Sequence, residues 1–331
     1  MWNIIGHRQT LAFFEQARRN GHLSHAYLLT GPAQVGKETL ALAFAQALLC
    51  TAKHTTPAGS PCGACQACVK VQHGTHPDLQ VIRPPEGKKA IGIDEIRAFI
   101  GAAVLQPHEG HHSIFVLPNA ESLTNQAANA LLKTLEEPAP QTVIFLTAIE
   151  EQLLPATVVS RCQTLALGLV YTTDISRALL AHWGVRSDDA QAVSLLSAGR
   201  PGWAIAANQH PEMQEQRASW FQVMERLCRS GPAERMSFAA KIARESEQLD
   251  EILTVWLSWW HGVLLFLEGA QTSQHQQEER VYYSFQQLRP DAARKVIKQI
   301  QEAALHIEHN AQPRLTLETL LLDLPQVYEA G

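Results

Sequence analysis

The sequence predicts an α/β fold with a parallel sheet, followed by helices alone, and three features carry that expectation. A short apolar strand at 26–30 enters a glycine-bounded loop that opens an Ala/Leu-rich helix. Two further apolar runs, 113–117 and 142–147, alternate with stretches of helical periodicity, the pattern of a doubly wound sheet buried on both faces. Beyond about residue 168 the strand signal stops.

Taken in order, residues 8–20 place Leu11, Phe13, Phe14 and Ala17 at amphipathic helical spacing ahead of the first strand. The helix after the loop is expected to run from about Lys37 to Cys50, followed by a Cys-rich excursion and a second strand over 76–82. A helix then opens at 94–97, with Asp94 expected as its cap. The strand at 113–117 ends at Pro118, and the next helix, from about 124, ends before Pro138. Residues 173–183, 187–197 and 201–207 read as a small helical unit. From 211 onward amphipathic helices are expected throughout, with a polar break at 271–277 and a late helix starting at Pro290.

At 331 residues the chain exceeds one ordinary core, so two or three domains are expected. Its formal charge of −5, from 32 acidic and 27 basic residues, argues against a free-standing electrostatic DNA binder. The N-terminus lacks a basic segment followed by an apolar one, so no signal peptide is expected. The most apolar run, 252–267, contains Thr254, Ser258, His261 and Gly262 and falls short of the roughly 18–20 residues of a membrane span; it reads as a buried helix.

The loop has the phosphate-binding pattern, with Gly31, Gly36 and Lys37 correctly spaced: backbone N–H groups and a lysine at a helix N-terminus suit phosphate oxygens. The next position should carry the hydroxyl that binds Mg²⁺, and it is Glu38, a carboxylate beside anionic phosphates. Thr39 comes one residue late, about 100° further round the helix. The acid pair of a hydrolytic site is also missing. Asp94-Glu95 follows a short Gly-containing run that flows into helical spacing, while the better strand ends in Pro118-Asn119.

Four of six cysteines, Cys50, Cys62, Cys65 and Cys68, fall close together with gaps of eleven, two and two residues. Three thiolates on a tight turn over 62–68, closed by Cys50 at the preceding helix end, suit one structural tetrahedral zinc ion. His54 and His76 are alternative ligands that read better as ordinary loop histidines, and Cys162 and Cys228 stand alone.

Two segments carry a family resemblance. Residues 129–138 read NALLKTLEEP, and Ser160-Arg161-Cys162 follows the next strand. With His25-Ala26-Tyr27-Leu28 before the loop, the cysteine insertion after the loop helix and the stretch at 310–321, they closely resemble bacterial clamp-loader AAA+ subunits over nearly the whole chain. The resemblance implies an AAA+ α/β domain (1–168) with an inserted Cys₄ zinc module (50–68), a helical lid (169–209) and a helical collar (210–331). It implies a subunit of a DNA polymerase holoenzyme that works with gamma/tau-type ATPases and delta in a hetero-pentamer. The sliding clamp and primed DNA are its implied targets, the cytoplasm and replicating nucleoid its location.

Where that family's ATPases carry a lid arginine in a Gly-x-x-Arg step, Gly199-Arg200-Pro201-Gly202 puts glycine. Three parts of a hydrolytic site are thus altered while Ser160-Arg161-Cys162 is intact, which by resemblance implies a non-hydrolysing stator offering Arg161 as an arginine finger to a neighbour's ATP. Gly31, Gly36 and Lys37 leave nucleotide binding by the chain itself open. Two rivals share these residues: a working gamma-type ATPase using Thr39 with Asp94 or Glu95, and a zinc-containing nucleic-acid-binding protein with a vestigial loop.

Overall fold

The computed structural model describes residues 2–52, 59–244, 248–269, 284–308 and 311–327. The chain divides into two compact units, Met1–Ala206 and Ala207–Gly331. The expected ligand candidate His54, the polar break at 271–277 and the start of the 310–321 stretch lie outside the described residues.

The first unit has the expected α/β architecture. Helix α1 (Arg8–Arg19) precedes β1 (Ala26–Thr30) and α2 (Lys37–Leu49), and α3 (Gln66–Gln72) leads to β2 (Leu79–Val81). Then come α4 (Ile93–Ala103), β3 (Ser113–Leu117), α5 (Asn125–Glu136), β4 (Thr142–Ala148), the single turn α6 (Ala156–Val159) and β5 (Gln163–Ala166). The sheet is wholly parallel in the order β2-β3-β4-β1-β5, with Leu28 of β1 opposite Leu146 of β4 and Thr164 of β5. Strands β1, β3 and β4 are buried along their whole length, as continuous apolar runs require between two helical layers.

Side chains alternate between the two faces. Tyr27 and Phe145 meet Phe44 and Phe14 on one side, where the Phe14 and Phe44 rings stack at 3.9 Å. Leu28, Phe115, Leu117, Ile144 and Leu146 meet Ile96, Phe99, Leu131 and Leu135 on the other. Helices α7 (Thr172–Trp183), α8 (Ser187–Leu196) and α9 (Pro201–Gln209) follow.

Several expectations need correction. Strand β2 is three residues long, because Leu79 N–H turns back to the carbonyl of His76 and the chain before it is a turn. Asp94 does not cap α4: Gly92 is the N-cap, and Glu95 reaches back to its N–H at 2.9 Å. Strand β5 was not expected, since its polar, half-exposed Gln163-Thr164 pairs only with β1 at the sheet edge. Nor do the three close-spaced cysteines lie on a turn alone, because α3 begins at Gln66 and holds Cys68 in its first turn.

The second unit comprises α10 (Pro211–Arg229), α11 (Pro232–Ile242), α12 (Leu249–Leu267), α13 (Pro290–Glu308) and α14 (Pro313–Leu322). Trp256, Trp259 and Trp260 are buried in its core with Met224, Phe285 and Leu317, and Trp256 donates to the carbonyl of Trp220 at 3.2 Å. The apolar run belongs to α12, and no described helix is long and apolar enough to cross a membrane. The core also holds Arg235, 4% exposed. Its guanidinium donates to Leu227 and Cys228 at the end of α10 and to Leu321 and Leu324 at the end of α14, at 2.7–3.3 Å. Helix C-termini leave carbonyls without partners and carry partial negative charge, so a cation with five donors satisfies both ends at once.

Two outcomes follow from these buried charges. Arg235→Met should destabilise the second unit by on the order of 3 kcal/mol in urea unfolding, since the carbonyls it caps lose a charged donor. In the first unit, burial opposes the charge of Asp78, but N–H groups of His108, Glu109 and Gly110 at 2.5–2.9 Å outweigh it and hold the carboxyl below its usual range. Its contribution is therefore present above the ordinary carboxylate pKa and is lost as pH falls through the lowered one. Asp78→Asn should flatten the acid limb of the stability profile.

Candidate functional site

Three groups of predicted residues can be placed. The first is the loop between β1 and α2. Gly31 sits at φ 146° so close to the carbonyl of Leu167 that a Cβ would lie 2.2 Å from that oxygen, and its N–H donates to Ile149 at 3.0 Å. The loop is thereby fixed to the segments after β4 and β5. The Lys37 ammonium, at the first position of α2, turns back into the loop, donating to the carbonyls of Gly31 and Pro32 at 2.7 and 2.9 Å. It is 7% exposed, and burial lowers its pKa against the opposing pull of the Glu121 carboxylate. Glu38 forms an ion pair with Arg83.

Gly202, at the place of the lid arginine, donates its N–H to the carbonyl of Gln34 at 2.9 Å, and a Cβ there would come within 2.9 Å of that oxygen. The first turn of α9 therefore packs on the loop itself. The cavity left beside it, lined by Ile4, His7, Gly36, Thr39, Trp183 and Gly202, measures about 160 Å³. Small-molecule sites typically span about 300–1,000 Å³.

The alternative acids are engaged elsewhere: Asp94 is exposed and pairs with Arg97 at 3.6 Å, and Glu95 caps α4. Asn119 follows Pro118 in a left-handed conformation, with its N–H on the Thr147 hydroxyl at 3.0 Å. The acid that does act on Lys37 is Glu121, in the short helical turn after β3. Sequence reading passed over it, because it lies beyond the strand end where an acid pair is sought.

The second group is the cysteines. The sulfurs of Cys50, Cys62, Cys65 and Cys68 all lie within 4.8 Å of one another, with Cys50–Cys65 at 3.9 Å and Cys62–Cys68 at 3.8 Å. A tetrahedron with zinc–sulfur bonds of about 2.3 Å has edges of about 3.8 Å, so this cluster can hold a metal ion. Backbone N–H groups point at the sulfurs, Cys65 to Cys62 at 3.3 Å and Cys68 to Cys65 at 3.4 Å. Burial works against the Cys65 thiolate, but the Cys68 N–H and the hydroxyl and N–H of Thr51 outweigh it and bring the thiol down to about 5. Among the described residues it is the one such cluster of metal-ligating side chains. His76 is committed to the N–H of Asp78 at 3.1 Å, and burial pushes the lone thiols of Cys162 and Cys228 up to about 12.

The third is Arg161, just after α6. Its Nη1 donates to the Thr157 carbonyl at 2.7 Å and the Ser160 hydroxyl at 3.2 Å, while Nε and Nη2 donate to Glu136 Oε1 at 3.0 and 2.5 Å. Glu136 is the last residue of α5, and the arginine side chain is about one-third exposed.

A family model described as DNA polymerase III, delta subunit, matches residues 6–170. DNA polymerase III subunit delta' of Haemophilus influenzae is 32% identical over 233 residues, which cover 70% of this chain and 69% of that protein. The chain belongs to the DNA polymerase III subunit delta' family. The delta' protein of Pseudomonas aeruginosa is 40% identical over 151 residues, 46% of this chain and 45% of that one, so the match spans just under half its length. The DNA polymerase III subunit tau/gamma of H. influenzae is 31% identical over 54% of this chain but only 25% of its own. A gamma-subunit-related protein of Thermotoga maritima is similar at 16% identity and a TM-score of 0.41, covering 93% of this chain and 97% of that one.

For this delta' family member, one equivalent of metal per chain is expected by atomic emission. Cys68→Ser, which replaces the buried thiol, should lose most of it, and a strong chelator should lower the melting temperature.

Proposed function

We propose that this chain is the stator of a bacterial clamp loader: it hydrolyses no ATP itself and supplies Arg161 as an arginine finger to the ATP of a neighbouring subunit. The observation that carries the reading is a contrast within one domain. Lys37 is bound to its own loop's carbonyls beside a cavity of about 160 Å³, while Arg161 stands partly exposed at the end of a short helix. A carboxylate at the Mg²⁺ position, a strand ending in Pro118-Asn119 in place of an acid pair and a glycine at the lid-arginine position remove three separate contributions to hydrolysis. A guanidinium, charged at every relevant pH and planar, can still stabilise phosphate charge across an interface.

In this reading residues 1–168 form the AAA+ domain, 169–209 the lid and 210–331 the collar. Zinc on Cys50, Cys62, Cys65 and Cys68 ties α2 to α3 as a closed structural site. The partners are gamma/tau-type ATPases and delta in a hetero-pentamer that loads the sliding clamp on primed DNA. Their presence among relatives as tau/gamma and delta' proteins supports the assignment. The cytoplasm is the corresponding location.

Two measurements test it. The isolated chain should show no ATP hydrolysis and no saturable binding of labelled ATP, with or without Mg²⁺. In a complex reconstituted with the ATPase partners, Arg161→Ala should slow turnover at the interface it serves by a factor of roughly 10³ or more. Unchanged turnover in that complex would overturn the finger assignment.

A further inference from the structure

The geometry points to Glu136 as a latch that keeps the Arg161 guanidinium engaged within its own subunit until a neighbour's nucleotide phosphate displaces it. The inference rests on the finger reading above. An arginine has five N–H donors. Four are taken here: two on Nη1 by Thr157 and Ser160, and those of Nε and Nη2 by the single oxygen Oε1 of Glu136. One remains for any outside acceptor.

The two attachments differ in kind. Thr157 and Ser160 belong to the same short segment as Arg161, so they fix where the side chain stands. Glu136 comes from the end of α5 and occupies the Nε–Nη2 edge, the edge that would otherwise be free to bind a carboxylate or phosphate side-on. Its carboxylate is half exposed, so an incoming phosphate can replace it without opening the core. Phosphate brings more charge and more acceptor oxygens than a carboxylate, so the exchange favours engagement once nucleotide is present. Glu136 therefore acts through Arg161, as a positioning residue that sets how much nucleotide is needed before the finger commits.

The test uses the complex reconstituted with its ATPase partners and ATP as titrant. Glu136→Gln, which keeps the shape and removes the charge, should lower the ATP concentration for half-maximal turnover by roughly two- to fivefold, the range available to an exposed ion pair. Glu136→Asp, charged but shorter, should lie between the two. In an Arg161→Ala background the Glu136 substitution should have no effect on half-saturation. If Arg161→Ala impairs turnover but Glu136→Gln leaves half-saturation unchanged, the latch fails and the finger stands. A fall in maximal turnover toward that of Arg161→Ala would also overturn the latch, because Glu136 would then be holding the productive position. If neither substitution matters, the finger reading falls and the latch with it.

Discussion

A buried ammonium has to be satisfied, and in this chain the P-loop lysine finds its partners at the start of the loop it closes. Bonds from Lys37 to the carbonyls of Gly31 and Pro32 close the turn on itself. Gly31 in turn lies against Leu167, and Gln34 against Gly202. The start of α2, the segment after β5 and the first turn of α9 thus converge on this loop. These bonds hold the loop, the start of α2 and the first turn of α9 in one arrangement. The cost of burying the charge is offset by two carbonyls and the field of Glu121.

What could be read from the sequence follows from how each signal arises. Strands β1, β3 and β4 are buried on both faces and so appear as unbroken apolar runs, while Pro118 after β3 and Thr124 at the N-cap of α5 mark boundaries by chemistry that acts locally. Strand β5 was missed because an edge strand with half-exposed residues has neither a run nor a clean alternation. Helix α3 was missed because its seven residues start among the cysteines, with Cys65 as N-cap and Cys68 in the first turn, and the metal spacing dominates the reading. The clustering of the four cysteines was legible, since gaps of two residues bring thiols together on one short segment. Glu121 and Glu136 were not, because nothing local distinguishes a carboxylate that faces a distant cation from one that faces solvent.

The same limit applies to Arg235. In sequence it is one more basic residue on an amphipathic helix, and only the fold shows it buried with carbonyls from two helix ends. Its guanidinium donates to six backbone carbonyls, so the counter-charge is backbone. Substitution by lysine would keep the charge and lose the fork that reaches both ends.

That arrangement bears on the order in which the polypeptide becomes structured during synthesis. Arg235 bonds to carbonyls 86 to 90 residues further along, and Val327 N–H returns to Cys228 at 3.0 Å. The second unit cannot complete its core while residues up to about 327 are still inside the ribosome. Until then the Arg235 guanidinium has two of its six acceptors, the carbonyls of Leu227 and Cys228. The first unit, whose sheet is complete by Ala166, faces no such wait. Translation thus delivers the α/β unit ready to fold, and leaves the helical unit dependent on α14 and the residues up to Val327.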